Sequence, residues 1–160
     1  MTGHHTARVI WERNGGDFAG KKYSRLHRWT FDGGLSVKAS SSPDVVKVPY
    51  SDPSAIDPEE AFVASCASCH MLSFLWRAAL AGFVVESYED HAEGVMEKNS
   101  EGKLAITRVM LKPLTRFSGG KLPSAEELDH LHHLAHEDCF IASSVKTEIA
   151  CEPRMAEREA

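Results

Sequence analysis

No segment of this chain has the roughly 20 uninterrupted apolar residues that cross a bilayer. Residues 61–76 come nearest, but Glu59, Glu60 and Arg77 bracket them. A basic excess is missing too. Against 18 Lys and Arg stand 23 Asp and Glu, a net charge of −5, which is the wrong sign for a nucleic-acid binder. Met1-Thr2-Gly3-His4-His5 is not the basic start of a secretory leader. The expectation is a cytoplasmic protein with no membrane and no nucleic-acid partner. In that compartment its four cysteines stay reduced, so they are metal-binding, catalytic or inert. No internal repeat or low-complexity tract is present. With 42% apolar and 26% charged residues, the 160-residue chain reads as one globular domain. Its core is expected over about residues 7–152, with a charged tail at 153–160.

What the chain does have is a long apolar helix. Asp57 can cap its start, Pro58 suits the first helical position, and Glu60 completes a capping box. Nothing breaks it until Gly82. At about 1.5 Å per residue that makes a rod of roughly 36 Å. Almost no polar face survives between Ala61 and Phe83, so the helix must be covered on most sides. A short chain hardly does that alone, which points to a partner subunit.

Around this helix the chain alternates strands and turns. Residues 7–12 form a strand candidate, followed by a turn at Asn14-Gly15-Gly16-Asp17. Residues 23–31 alternate clearly, with Tyr23, Arg25, His27, Trp29 and Phe31 on one face and Arg28 on the other. Asp32-Gly33-Gly34 turns into a strand at 35–40, and the proline-bearing stretch 41–54 is a loop. Beyond the helix, residues 83–98 read as one long strand. Residues 104–117 read as a second, with a bend at Pro113. Ser124-Ala125-Glu126-Glu127 opens a helix to about His136, and Asp138 can cap a short third helix starting at Cys139. Residues 146–151 form a last strand. The class is α+β with antiparallel hairpins.

Cys66-Ala67-Ser68-Cys69-His70 matches two short patterns. As C-x-x-C-H it is a c-type haem attachment motif, which normally needs export. As C-x-x-C it is a redox motif, but that belongs at a helix N-terminus, and Cys66 lies more than two turns inside. A zinc site is a third alternative, using Cys66 and Cys69 with His130, His132, His133 and His136. The plainer reading has these histidines coating the solvated side of a helix whose leucines face inward. Cys66 and Cys151 likewise read as small core or strand residues.

The run from Asp57 to Cys69 resembles the N-P-E-E-L-x-x-A-x-x-A-x-C helix of the OsmC/Ohr family, the osmotically inducible protein C and organic hydroperoxide resistance proteins. The segment from His136 to Ala142 looks like the family's second-cysteine segment, with Cys139-Phe140 where the family often has Cys-Pro. The resemblance implies an OsmC-like fold, with antiparallel sheets packed around a long central apolar helix, in an intertwined homodimer. It implies a thiol peroxidase for organic hydroperoxides, with no cofactor and no metal. Cys69 matches the peroxidatic cysteine and Cys139 the thiol that condenses with its sulfenic acid. Glu59 matches the glutamate that holds an activating arginine. The family does not fix that arginine's position. Arg25 is the choice, since its strand face points inward, with Arg28 as the alternative. A dithiol reductant restores the enzyme, a lipoylated protein in the Ohr branch. A non-enzymatic ligand-binding or redox-sensing protein on the same fold is the alternative.

Three expectations follow for the site. Glu59 and Cys69 are about 15 Å apart on a regular helix, so Glu59 reaches the site from the partner subunit or the helix bends. Cys139 at a short helix's N-terminus has a depressed pKa. Phe62, Met71, Phe74, Trp29 and Phe140 are candidates for an apolar pocket, although most of them read as core.

Overall fold

A computed structural model describes residues 2–157 of the chain. They form two compact units, divided between Ala61 and Phe62.

In the first unit, β1 (Ala7–Ile10), β2 (His27–Phe31) and β3 (Ser36–Ala39) make an antiparallel sheet in the order β1-β2-β3. The β2–β3 turn uses Gly34 at φ +84°, a conformation that favours glycine. The strand expected over 23–31 starts only at His27. Before it the backbone is committed elsewhere: Arg25 N–H donates to the Tyr50 carbonyl at 2.8 Å, and Leu26 N–H donates to Ser24 Oγ at 3.1 Å. Arg25 therefore lies in an irregular segment, and the alternation does not extend to it. Trp11, Phe18 and Tyr23 cluster here, with Phe18 and Tyr23 stacked at 4.6 Å between centroids.

Helix α1 (Pro58–Leu80) has the ends that its sequence encodes. Asp57 Oδ1 accepts from Glu60 N–H at 2.7 Å, and Glu60 Oε2 accepts from Asp57 N–H at 3.1 Å, completing the capping box. At the other end Gly82 takes φ +78°. Gly82 N–H donates to the Ala79 carbonyl and Phe83 N–H to that of Ala78, both at 3.0 Å, a Schellman closure.

The second unit holds β4 (Val84–Asp90), β5 (Glu93–Lys98), β6 (Leu104–Leu111), β7 (Pro113–Ser118), α2 (Ala125–Asp138), β8 (Glu148–Cys151) and β9 (Arg154–Met155). Its sheets are β4-β7-β9 and β5-β6-β8. Each long strand expected from the sequence is thus two strands in different sheets. The breaks fall at His91-Ala92 and at Lys112, beside the bend expected at Pro113. Lys112 N–H donates to Asp90 Oδ1 at 2.7 Å and ties the corner. Nor are the sheets wholly antiparallel, because β8 runs parallel to β6 and β9 parallel to β7. Arg154 and Met155, expected in the charged tail, form β9. Residues 158–160 of that tail lie outside the described residues.

Cys66, His70, Phe74 and Ala78, four residues apart, are the buried stripe of α1. Phe74 and Ala78 join Phe83, Phe117, Leu128, Leu131 and Ala135 in one core cluster, and Cys66 joins Val109 and Leu111 in another. A Cβ on Gly94 would sit 2.5 Å from Val63 Cγ2, so β5 can approach α1 only with glycine there. On another side of the helix, Leu72, Trp76 and Leu80 stay 61–64% exposed. No helix among the described residues is long and apolar enough to cross a membrane.

Helix α2 opens with the expected capping box, Ser124 Oγ accepting from Glu127 N–H at 3.1 Å. The third helix expected from Cys139 is only a 3-10 turn at Ala142–Ser144, because the Asp138 carboxylate is taken by Arg77 instead of capping. Ser124→Ala should lower stability by about 1 kcal/mol, and Phe74→Ala by about 3–5 kcal/mol. Urea unfolding midpoints check both, and equal losses would contradict this ranking.

Candidate functional site

Cys69 is half-buried on α1 beside the buried stripe, and Cys139 caps the C-terminus of α2 with 1% exposure. The two thiols are close enough for Cys69 to act on the protonation of Cys139. Cys139 Sγ also accepts from Ala142 N–H at 3.4 Å. Burial pushes the Cys139 thiol up to about 11, and Cys69 adds to the rise. This corrects the expected depression: Cys139 stands at the C-terminal end of a helix, not the N-terminal end, and is sealed from water.

Arg77 and Asp138 form a bidentate pair, Nε to Oδ2 at 2.5 Å and Nη2 to Oδ1 at 2.8 Å. It ties the residue next to Cys139 to the helix that carries Cys69. The hydrogen bond from Arg77 holds the Asp138 carboxyl below its usual range. The sequence reading missed this pair, since 61 residues separate its members and neither stands in a motif.

Cys66 is fully buried among Val109 and Leu111, the inert core residue expected. Burial raises its thiol pKa, and the neighbouring Cys69 adds to this.

His130, His133 and His136 are exposed, as the solvated-face reading expects. His132 is not: it is 3% exposed. It falls on the inward side of α2 with Leu128, Leu131 and Ala135, and its ring stacks on Phe74 at 4.1 Å. Its Nδ1 lies 2.9 Å from Nε2 of His70, and Cys151 Sγ lies 3.7 Å from each of these nitrogens. The zinc alternative built on Cys66 and Cys69 therefore fails, since His132 faces His70 and Cys151 instead. Burial pushes His70 down to about 4 and His132 to about 3, so both imidazoles are neutral at ordinary pH.

In the first unit Arg25 and Glu59 line one cavity of about 490 Å³, together with Trp11, Phe18, Tyr23 and His27. The Arg25 guanidinium lies over the Tyr23 ring, 3.8 Å from its centroid, and donates to the Lys21 carbonyl at 3.0 Å. Arg28 is exposed and donates to Ser36 Oγ at 3.2 Å. The lining aromatics are not the ones the sequence reading selected. Phe62 and Phe74 belong to core clusters, and Phe140 is 82% exposed. The available signal was three aromatics flanking the Asn14-Gly15-Gly16 turn. Cys69 and Cys139 belong to one unit of the chain, and Arg25 and Glu59 to the other.

The OsmC-like protein family model matches residues 51–154, well over half of the chain. This chain belongs to the OsmC-like family. An OsmC-like protein of unknown function from Vibrio cholerae O1 biovar eltor is 50% identical to it, with a TM-score of 0.92 over 95% of this chain and 99% of that one. An organic hydroperoxide resistance protein from Elizabethkingia anophelis is 14% identical, with a TM-score of 0.68 over 99% of each chain. The organic hydroperoxide resistance protein OhrB of Bacillus subtilis is 18% identical, with a TM-score of 0.58 over 94% of this chain and 98% of that one. At such identities the likeness to these two is one of fold. Among curated proteins nothing matches the sequence.

In the folded OsmC-like chain, iodoacetamide at about pH 8 should label Cys69 first. Cys139 should lag by at least about tenfold, because the thiolate is the nucleophile. Its labelling should climb about a decade per pH unit toward pH 11, where its thiol titrates. Peptide mapping reads both, and equal labelling of Cys69 and Cys139 at pH 8 would contradict the burial argument.

Proposed function

We propose that this chain is a thiol-dependent peroxidase that reduces organic hydroperoxides to alcohols. The closeness of Cys69 and Cys139, in an OsmC-like chain, carries the reading. The Cys69 thiolate attacks the outer peroxide oxygen. The O–O bond breaks, the alkoxide takes a proton and leaves as the alcohol, and Cys69 becomes a sulfenic acid. Cys139 then attacks the Cys69 sulfur. The hydroxyl leaves with the Cys139 proton as water, and a disulfide remains. A dithiol reductant returns both thiols and is itself oxidised to a disulfide. Cys139 enters protonated, so it supplies the proton that leaves as water.

The cation that completes the site is Arg25, oriented by Glu59. A cavity that combines this arginine and glutamate with three aromatic rings suits an organic tail with a polar peroxide end. These two groups reach Cys69 from the partner subunit of a homodimer. The exposed apolar row Leu72, Trp76 and Leu80 supports a second copy as the cover for α1. A cytoplasmic setting suits the chemistry, since thiols there are returned to the reduced state.

Cumene hydroperoxide with dithiothreitol or dihydrolipoamide tests the reading. Cys69→Ser should abolish turnover, and Cys139→Ser should stop at the sulfenic acid without a disulfide. Arg25→Met should lower kcat/KM roughly ten- to a thousandfold, the range set by losing a cation beside a thiolate. A stoichiometric Cys69–Cys139 disulfide with no turnover on any dithiol would favour the redox-sensing alternative. Trp76→Glu should convert a dimer to a monomer in sedimentation velocity, and a monomeric wild-type chain would overturn the assembly.

A further inference from the structure

The peroxidase reading leaves one buried group of ligand-type side chains unused. His70 comes from α1, His132 from α2 and Cys151 from β8. Among the described residues, theirs are the donor atoms of three side chains that lie within 4.8 Å of one another. His70 is 1% exposed and His132 3%, so water does not solvate the pair. Their outer nitrogens, His70 Nδ1 and His132 Nε2, have no hydrogen-bond partner among the described residues. A lone hydrogen bond between two neutral imidazoles leaves such groups poorly compensated in an apolar core. Apolar side chains would fill the same space at less cost. An ion held by the inner nitrogens, His70 Nε2 and His132 Nδ1, would offset the cost of burying the pair, with the outer nitrogens left to carry the ring protons.

We propose that His70 Nε2, His132 Nδ1 and Cys151 Sγ form a binding site for a zinc-class divalent ion, with one coordination position left open. Zinc bonds of about 2.0 Å to nitrogen and 2.3 Å to sulfur, at angles between tetrahedral and trigonal, separate nitrogen from sulfur by about 3.5–3.8 Å. Both observed separations are 3.7 Å. The same bonds separate the two nitrogens by about 3.3–3.6 Å. The rings, now 2.9 Å apart, must therefore part by about half an ångström. The donor set of two imidazoles and one thiolate suits zinc or copper. A cysteine ligand binds as the thiolate, so binding expels the Cys151 proton. The proton between the rings moves to an outer nitrogen, freeing both inner nitrogens for the metal. His132 and Cys151 also line a cavity of about 420 Å³ shared with Asp129, His133 and His136, through which a water or small anion can reach the open position.

This site is separate from the Cys69–Cys139 pair, and its test does not use peroxidase activity. The full chain, stripped with chelator, is titrated with zinc and, as a spectroscopic probe, with cobalt. One ion per chain should bind, with a thiolate-to-cobalt charge-transfer band and a raised Tm. Cys69→Ser should keep the band. Cys151→Ser should abolish it, and His132→Gln should weaken binding at least tenfold. X-ray absorption of the wild-type zinc complex gives a readout independent of how the variants fold, and should find one sulfur and two imidazole nitrogens. No stoichiometric binding, a zinc shell without sulfur, or a band that survives Cys151→Ser but vanishes in Cys69→Ser overturns the proposal.

Discussion

The four-residue stride of α1 is the constraint on which the second unit depends. With about 3.6 residues per turn, positions four apart drift only about 40° per step, so separate rows stay separate along the helix. Cys66, His70, Phe74 and Ala78 make the row that the sheets and α2 bury. Leu72, Trp76 and Leu80 make a row that a single chain leaves exposed. Cys69 lies off the buried row and keeps partial access to solvent. One helix thereby builds a core, offers an apolar face and presents a thiol, because the rows do not overlap.

Environment, more than residue type, differentiates the four cysteines. Cys66, Cys139 and Cys151 are all shifted toward the protonated form, and in each case burial is the first cause. Cys66 is fully buried in a core cluster with Val109 and Leu111. Cys139 is buried too, but it lies near enough to Cys69 to be affected by it, and the Arg77–Asp138 pair fixes the chain beside it. Cys151 faces two imidazoles, a setting that suits a metal better than a peroxide. The same burial holds His70 and His132 neutral, which is the state a metal ligand requires.

Local signals in the sequence proved reliable where the physics is local. Asp57 with Glu60, Ser124 with Glu127, and Gly82 each act through hydrogen bonds or a backbone angle within a few residues, so the ends of α1 and the start of α2 were readable in advance. Readings that depended on distant partners went astray. Period-two alternation placed Arg25 on a strand, but Tyr50 claims its backbone. The stretches 83–98 and 104–117 look continuous because a corner costs few residues, and Asp90 ties that corner from 22 positions away. His132 sits among exposed histidines in the sequence, and only its place in the row Leu128, Leu131 and Ala135 turns it inward.

Read alone, the sequence determined the class of fold, the bounds of the long helix and, through the Asp57–Cys69 motif, the family. These are written in spacing along the chain, which hydrogen bonds of short reach translate directly into structure. Tertiary structure alone decided which thiols stay protonated, and that His70, His132 and Cys151 converge. Desolvation and side-chain contact depend on what folds back from tens of residues away, and no local pattern encodes that.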